Sequence, residues 1–486
     1  MLLDEKIWTG NIYIGGEWRP GRGGAYDVVE PATGEVLGRI GRAGAEDVDE
    51  AARSAAEAQK AWAATPHPAR SAVLRRAAQL WGEYAAEISG WNVREVGAIP
   101  PMAGFALHVA EQECYEAASL PSRPYGELLP SEEPRLSMAR RVPAGVVSVI
   151  APFNVPIILA IRSVAPALAL GNAVLLKPDP RTAVTGGVTL ARIFEEAGLP
   201  PGVLQMLPGA ADVGEALITH PLVRVISFTG STRAGRRVGA LAGEHLKRAH
   251  LELGGNSALI VLDDADLEGA VGAASFGSWF HQGQICMTTG RHLVHERLYD
   301  EFVERLAAKA SALPVGDPNR EQVALGPIID AGQRDKIHEV VTRSASRGAR
   351  VAAGGTYRDL FYPATVLADV ADDTPAFTEE IFGPVAPVLR FRDAEEAVRL
   401  ATASEYGLSL GIVTRDVMKG LALAEQIPTG IVHINDQTVS DEANSPFGGV
   451  AASGTGSRFG GAAANVEAFT ETRWVTVRDK PPAYPF

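Results

Sequence analysis

One cysteine, Cys286, stands in a turn of small and amide-bearing residues, where its thiol would be placed to act as a nucleophile. It is one of two cysteines in the 486 residues, and it follows the apolar run 273–280. A thiolate attacks a carbonyl carbon and retains the acyl group as a thioester. Because free cysteines are more often buried packing residues, a catalytic role requires partners from elsewhere in the chain.

Two polar residues outside that turn have the chemistry that such a thiol needs. Glu252 stands between Leu251 and Leu253, and apolar surroundings raise a carboxyl pKa towards the range useful for a general base. The side-chain amide of Asn154 can donate to a developing oxyanion. The alternative for Glu252 is an ordinary surface carboxylate.

Between residues 145 and 228, predicted strands alternate with predicted helices. The strand segments are β-branched and apolar, which is typical of strands buried on both faces. The alternation indicates a parallel sheet with right-handed crossovers, as in dinucleotide-binding domains, whose ligands bind at the carboxyl ends of the strands. The predicted strands are 145–150, 172–176, 203–207 and 223–228, and the predicted helices are 182–197 and 211–219.

The residues after three of these strands are suited to a dinucleotide. Asn154 follows the first strand, Lys177 follows the second, and Ser231 lies in a glycine-containing turn after the fourth. Lys177 can reach ribose hydroxyls or phosphate, and a helix N-terminus after Gly230 and Ser231 favours a pyrophosphate. The spacing from Gly230 to Gly235 differs from the GxGxxG pattern. The position of these loops at strand ends, rather than any one of them, indicates a cofactor site.

Five segments, in this order and spacing, resemble the aldehyde dehydrogenase superfamily, and the similarity runs from about residue 13 to residue 474. The resemblance implies an α/β fold with a Rossmann-type parallel-sheet coenzyme domain, an α/β catalytic domain and a small β extension for oligomerisation. The segments are Pro152-Phe153-Asn154 with Pro156, Leu251-Glu252-Leu253-Gly254-Gly255, Gly283-Gln284-Ile285-Cys286, Glu379-Glu380-Ile381-Phe382-Gly383-Pro384 and Ser445-Pro446-Phe447-Gly448-Gly449.

The resemblance also implies the domain boundaries and the assembly. The coenzyme domain would comprise residues 1–120 and 143–253, and the catalytic domain residues 254–455. Residues 121–142 and 456–486 would form oligomerisation and bridging segments, with strands at 135–142 and 473–477. Members of the superfamily are dimers or tetramers, so a homodimer or homotetramer is expected.

For the catalytic residues, the resemblance implies a covalent mechanism. Cys286 would attack the aldehyde to give a thiohemiacetal, and Asn154 and the backbone N–H of Cys286 would form the oxyanion hole. Hydride would then pass to a nicotinamide, leaving a thioester. Glu252 would activate the water that hydrolyses this thioester.

For the coenzyme, the resemblance implies NAD. Lys177 would bind the adenosine ribose, Ser231 and the following helix the pyrophosphate, and Glu380 the nicotinamide ribose, with Phe382 beside the ring. The other expected coenzyme contacts are Ile150, Ala151, Phe153, Pro180, Gly230 and Leu253.

One departure from the superfamily bears on the choice between NAD and NADP. Many members that prefer NAD have a glutamate three residues after the ribose lysine, where this chain has Pro180. The loss removes a group that repels a 2′-phosphate, and Arg181 could pair with that phosphate, whereas Asp179 would oppose it. NAD use with NADP tolerated is therefore predicted.

The expected substrate pocket is wide and apolar, with one cation near its mouth. Such a pocket suits a planar aromatic aldehyde, and the amino-acid sequences of the motifs resemble those of the benzaldehyde and vanillin dehydrogenase branch. A structural salt bridge is the alternative role for the cation, Arg162, and a semialdehyde substrate with an anionic group is the alternative that a free Arg162 would favour. The pocket residues are Val155, Leu159, Arg162, Ile285, Met287 and Phe447.

Two other functions known in this superfamily are disfavoured by residues that the chain contains. A dehydrogenase that transfers its acyl group to coenzyme A usually lacks the base glutamate, and this chain has Glu252. A catalytically silent structural relative would be expected to lose Cys286 or Glu252. His281 is expected to be a loop residue and Cys114 a packing residue.

The composition of the chain limits the kinds of partner that we expect it to bind. The formal net charge is −13, which disfavours nucleic acid and anionic membranes. Two cysteines exclude a disulfide framework and suit a reducing cytoplasm. Neither a targeting segment, a membrane span nor a metal site is expected. A small-molecule aldehyde is the expected partner.

Overall fold

The computed structural model describes residues 1–123 and 125–486. Pro124, inside the predicted 121–142 segment, lies outside the described residues. Two seven-stranded sheets and a three-stranded sheet are combined with helices into an α/β fold. Strand residues of the first large sheet alternate between two apolar cores, one containing Val147 and Leu176 and the other containing Val146 and Leu175. Both faces of this sheet are therefore covered, as the apolar strand sequences predict.

The first large sheet contains the predicted parallel strands. Five adjacent strands, counted from one edge of the sheet, run parallel to each other. An antiparallel hairpin of two strands forms the other edge. In spatial order the strands are Arg248–Glu252, Val223–Thr229, Val146–Ile150, Ala173–Lys177, Leu204–Met206, Asn11–Ile14 and Glu17–Pro20.

The register of this sheet brings the strand-end residues together. Ile150 pairs with Lys177 on one side and with Phe228 on the other, and Thr229 pairs with Glu252. The loops that leave these strands therefore begin at one edge of the sheet, where ligands of parallel α/β sheets bind.

The second large sheet starts close to the candidate catalytic residues. Ser257–Val261 and Thr289–His295 are neighbouring parallel strands that begin shortly after Glu252 and Cys286. Their pairing fixes the relative position of the two preceding loops. In spatial order the strands are Arg350–Ala353, Thr365–Ala368, Val385–Phe391, Thr289–His295, Ser257–Val261, Ser409–Val413 and Ile431–Ile434.

The smaller sheets are antiparallel. The three-stranded sheet joins Thr470–Val477, Leu136–Pro143 and Gly126–Leu128, where strands were predicted at 135–142 and 473–477. Two two-stranded sheets pair Ala25–Val29 with Val36–Gly41 and Tyr406–Gly407 with Val450–Ala451.

Helices fill the remaining space, and none in residues 1–123 and 125–486 is long and apolar enough to cross a membrane. The α-helices are Glu5–Trp8, Ala45–Ala64, His67–Glu83, Ala85–Trp91, Pro100–Ser119, Pro156–Ala169, Thr189–Glu196, Ala211–Thr219, Thr232–Glu244, Leu267–Trp279, Glu296–Ala312, Ala331–Ser346, Pro375–Thr378, Ala394–Thr402, Val417–Ala424 and Ala462–Phe469. Asn92–Val96 and Val184–Val188 are π-helical, and Leu120–Ser122, Pro180–Thr182 and Phe280–Gly283 are 3₁₀ turns.

The helix predicted at 182–197 is regular only in its second half. A 3₁₀ turn and the π-helical segment Val184–Val188 precede the α-helix Thr189–Glu196. The buried carboxylate of Glu95 accepts hydrogen bonds from the backbone amides of Val184 at 2.9 Å and Thr185 at 2.6 Å. A distant carboxylate therefore binds the first amides of this helix, and the local sequence does not reveal it.

Candidate active site

Cys286 lies where two cavities meet. One cavity, of about 310 Å³, has predominantly apolar walls. The other is a groove of about 870 Å³ along the carboxyl edge of the first sheet. Cys286, Asn154 and Leu159 line both. A thiol in this position can react with a molecule in the first cavity while a second molecule lies in the groove.

The turn before Cys286 is held in an unusual backbone conformation. His281 and Gln282 have positive φ angles of 52° and 56°, and Gly283 follows with 65°. A left-handed non-glycine residue costs roughly 1–2 kcal/mol, so the surroundings must stabilise this turn. The side-chain amide of Gln282 donates to the carbonyls of Gly97 and Pro327, both at 3.0 Å. These bonds anchor the turn to two distant segments.

Asn154 is fixed to the same turn by two hydrogen bonds. Its side-chain amide donates to the carbonyl of Gln284 at 2.7 Å, which leaves its second N–H for another acceptor. The Nε2 atom of His281 donates to the backbone carbonyl of Asn154 at 2.7 Å. His281 lies in a turn between regular elements, as expected of a loop residue, but its burial and this hydrogen bond were not predicted. It is fully buried, and burial lowers its pKa to about 4, so the neutral imidazole holds the two segments together.

The thiol of Cys286 is stored in its protonated form. Burial raises its pKa to about 12, and the negative charges of Glu380 and Glu252 act in the same direction. Reactive cysteines commonly have lowered pKa values. Cys286 must therefore lose its proton before it can attack a carbonyl carbon.

Glu252 is buried at the end of its strand and is set back from both cavities. Within the described part of the chain, neither carboxylate oxygen has a hydrogen-bond partner, and the residue lines neither cavity. Burial raises its pKa well above that of an ordinary glutamate, while the guanidinium groups of Arg162 and Arg458 partly oppose this effect. A β-carbon at Gly448 would lie 2.9 Å from Glu252 Oε1, so this glycine makes room for the carboxylate.

The groove contains most of the residues predicted to hold the coenzyme. Ser231 caps the helix Thr232–Glu244 by accepting from the amide of Ala234, and the remaining free amides of that N-terminus suit a pyrophosphate. Pro180 lies between Asp179 and Arg181, which do line the groove. The predicted residues that line it are Ile150, Ala151, Phe153, Lys177, Gly230, Ser231, Leu253, Glu380 and Phe382.

Two charged groups of the groove, the buried Lys177 and the half-buried Glu380, are weakly engaged. Burial lowers the pKa of Lys177, whose ammonium makes one long contact of 3.4 Å with the carbonyl of Pro178. Glu380 accepts from the backbone amide of Gly255 at 2.9 Å, and burial raises its pKa. A β-carbon at Gly254 would lie 2.5 Å from Glu380 Oε2. Gly254 therefore lets the carboxylate approach the backbone beside the general-base candidate.

Arg181, which could pair with a 2′-phosphate according to the sequence, is already paired. It donates to both carboxylate oxygens of Asp179 at 2.9 Å and to Asp330 at 2.7 Å. Its guanidinium also lies over the ring of Phe153 at 4.1 Å. The ring of Phe153 in turn makes an edge contact with Phe382 at 6.0 Å. A phosphate at Arg181 would have to compete with two carboxylates.

The apolar cavity contains all six predicted pocket residues and several that the sequence did not single out. Val155, Leu159, Arg162, Ile285, Met287 and Phe447 line it. Phe105, from the helix Pro100–Ser119, and the stacked pair Phe276 and Phe280, whose ring centroids are 4.5 Å apart, complete the wall. Four phenylalanine rings thus surround the space in front of Cys286. The spacing of four residues between Phe276 and Phe280 in the apolar run before Cys286 is a signal for this pair in the sequence.

Arg162 is buried rather than placed near the mouth, so that expectation is wrong. Its guanidinium forms an ion pair with Asp441, lies 3.9 Å from a carboxylate oxygen of Glu113, and stacks over Phe447 at 4.3 Å. The salt-bridge alternative is therefore the observed one, although Arg162 still lines the cavity.

The nucleophile, the amide donor, the buried carboxylate and the adjoining groove together define a thiol enzyme that acts on a carbonyl with a dinucleotide. The chain belongs to the aldehyde dehydrogenase family, whose sequence model matches residues 18–475. It is 70% identical over 485 residues, the full length of both chains, to a vanillin dehydrogenase of an Amycolatopsis species. It is 51% identical to an NAD⁺-dependent benzaldehyde dehydrogenase of Pseudomonas putida, with 99% of each chain covered.

A solved structure has the same fold. The salicylaldehyde dehydrogenase of Pseudomonas putida G7, complexed with salicylaldehyde, superposes with a TM-score of 0.94 at 37% identity, covering 98% of this chain and 99% of the other. The α/β aldehyde dehydrogenase fold predicted from the sequence is therefore confirmed.

Proposed function

We propose that the protein oxidises an aromatic aldehyde to the carboxylic acid, with NAD as the electron acceptor. The observation that carries this proposal is the position of Cys286 and Asn154, where a cavity walled by phenylalanine rings meets a groove suited to a dinucleotide. Relatives named for vanillin, benzaldehyde and salicylaldehyde support the substrate class. The benzaldehyde enzyme is also named for NAD⁺.

The chain's own residues perform the acyl chemistry. After losing its proton, the sulfur of Cys286 attacks the aldehyde carbon to give a thiohemiacetal. The free side-chain N–H of Asn154 and the backbone N–H of Cys286 donate to the oxyanion. After oxidation the acyl group remains on the sulfur as a thioester. Glu252 then takes a proton from the water that hydrolyses this thioester, which releases the carboxylic acid.

The residues of the groove fit NAD, which when bound supplies the hydride acceptor. The helix N-terminus at Ser231 would hold the pyrophosphate, Lys177 the adenosine ribose and Glu380 the nicotinamide ribose. Phe382 would keep the nicotinamide end in place. The weakly engaged charges of Lys177 and Glu380 support this assignment because a buried charged group requires a partner.

An uncharged ring fits the substrate cavity better than an anionic aldehyde does. The guanidinium of Arg162, which a semialdehyde carboxylate would require, is already paired with Asp441. Aromatic walls provide offset and edge contacts to a planar ring, worth about 0.5–1.5 kcal/mol per pair beyond area burial.

The substrate proposal predicts the result of a screen with the purified enzyme. We expect kcat/KM for benzaldehyde and its hydroxy and methoxy derivatives to exceed that for short aliphatic aldehydes and for succinic semialdehyde by tenfold or more, about 1.4 kcal/mol. Formation of reduced coenzyme measures the rate. If short aliphatic aldehydes are oxidised more than tenfold more efficiently than benzaldehyde, the aromatic assignment is wrong.

The coenzyme preference gives a second prediction. NADP should support turnover less well than NAD, because the carboxylates of Asp179 and Asp330 repel a 2′-phosphate. It should still be accepted, because Pro180 lacks the negative charge that a glutamate would have at this position. Pro180→Glu should lower kcat/KM for NADP by a further factor of about ten or more while leaving that for NAD nearly unchanged. Pro180→Gln is the matched control, since it adds similar bulk without charge. Near-total rejection of NADP by the unchanged enzyme, or equal effects of the two substitutions, would contradict the prediction.

We propose the following organisation for the subunit. Residues 1–120 and 143–253 form the coenzyme domain, residues 254–455 the catalytic domain, and residues 121–142 and 456–486 the oligomerisation segments of a homodimer or homotetramer in the cytoplasm. Exposed apolar side chains on the three-stranded sheet support self-association: Trp474 is 65% exposed and Leu128 75%.

A further inference from the structure

Charge on the wall of the substrate cavity is confined to one pair of residues. Among the described residues that line the cavity, only Arg162 and Asp441 carry a formal charge. They come from the helix Pro156–Ala169 and from the loop after strand Ile431–Ile434. The remainder of the wall is aromatic, aliphatic or neutral polar. The state of this pair therefore sets the charge that a substrate meets.

The guanidinium of Arg162 has spare donor capacity. It pairs with Asp441 through Nη2, whereas its Nε and Nη1 atoms have no hydrogen-bond partner among the described residues. An arginine presents five N–H donors in a planar fork that matches a carboxylate. Without its counter-charge, Arg162 would be a strong receptor for a carboxylate inside the cavity.

Asp441 is the carboxylate in direct contact with Arg162. The other nearby carboxyl, Glu113, lies 3.9 Å from Arg162 Nε and makes no direct hydrogen bond to it. Burial raises the pKa of Glu113 to about 8, so this group is mainly protonated near pH 7. The positive charge of Arg162 is consequently compensated from the loop that carries Asp441.

We propose that Asp441 determines specificity by neutralising Arg162, so that the cavity accepts uncharged aromatic aldehydes and rejects rings that carry a carboxylate. An anionic ring would lose its hydration in an apolar cavity, and it would meet Asp441 instead of a free cation. The inference rests on the proposed function, because it concerns the choice among aromatic aldehydes.

The test compares benzaldehyde with 3- and 4-carboxybenzaldehyde in the enzyme and its Asp441→Asn variant. The unchanged enzyme should prefer benzaldehyde by at least a hundredfold in kcat/KM. Asp441→Asn should reduce this ratio at least tenfold. Because loss of Asp441 makes ionisation of Glu113 easier, Asp441→Asn with Glu113→Gln should reduce the ratio further. Adding Arg162→Gln to Asp441→Asn should abolish the gain, since it removes the cation.

A measurement on the unchanged enzyme keeps the inference testable if the variants do not fold, as judged by circular dichroism and thermal unfolding. Benzoate, whose single carboxylate would lie at Cys286 and Asn154 as in the reaction product, should inhibit competitively against benzaldehyde. Terephthalate, whose second carboxylate would meet the rest of the cavity wall, should inhibit at least tenfold more weakly. Equal oxidation of benzaldehyde and its carboxy derivatives by the unchanged enzyme, or an unchanged ratio in a folded Asp441→Asn variant, would overturn the role of Asp441 while leaving the proposed function intact. Failure to oxidise any aromatic aldehyde would instead contradict the proposed function and this inference with it.

Discussion

Replacing Cys286 with alanine is expected to lower kcat/KM for aldehyde oxidation by at least about 10⁴-fold, as loss of a covalent nucleophile does in other enzymes. Cys286 is the only cysteine that lines either cavity in the described part of the chain. Asn154 and the groove remain, so binding of the coenzyme should be retained. Loss of turnover with retained coenzyme binding would assign the defect to the chemistry.

Cys114→Ala is the matched control for this experiment. Cys114 is fully buried in the apolar core that also contains Trp81, and it lines neither cavity. Its replacement should cost about 1 kcal/mol of stability and leave kcat/KM unchanged. Mass spectrometry should find an acyl adduct on Cys286 when the unchanged enzyme is quenched during turnover. Full dehydrogenase activity in Cys286→Ala would refute the covalent mechanism.

The parts of the fold that depend on local sequence pattern could be predicted. The apolar runs that end at Ile150, Lys177 and Thr229 form neighbouring parallel strands whose ends are in register. Any parallel sheet places such ends at one edge, so their proximity to each other follows from the strand pattern alone. The roles of Cys286 and Glu252 came instead from motif resemblance, because nothing local distinguishes a catalytic thiol from a packing thiol.

The parts of the site that depend on distant contacts could not be predicted. The ion pair of Arg162 and Asp441 joins residues 279 positions apart. The left-handed turn at His281 and Gln282 persists because segments far away in the chain accept its hydrogen bonds. Phe105 reaches the cavity from the helix Pro100–Ser119, which was not predicted from the sequence. Each of these features is decided by tertiary packing, to which a pattern of local residue types is insensitive.

Glu252→Gln should separate the two halves of the reaction. Acylation should still produce a burst of about one reduced coenzyme per active site, whereas the steady-state rate should fall by about 10²–10⁴-fold, the usual contribution of a general base. The amide keeps the size of the carboxyl group but cannot accept the proton of water. Rapid-mixing kinetics would measure both phases. A variant without a burst would instead implicate Glu252 in deprotonation of Cys286, whose pKa of about 12 requires a base.

The pH dependence of the deacylation rate provides a second test of the role of Glu252. Burial raises its pKa well above the usual value of about 4.3, so the ionised base is present only above this raised pKa and is lost as the pH falls through it. The deacylation rate should therefore decrease on the acid side at a pH well above the pKa of an ordinary carboxyl group, and Glu252→Gln should remove this dependence.

Arg458→Met should move this acid limb to higher pH, because Arg458 stabilises the carboxylate, whereas Arg458→Lys should largely preserve its position. An acid limb that persists unchanged in Glu252→Gln would assign the titration to a different group. The buried, retracted carboxylate would then have a structural role, and the water that attacks the thioester would need another base.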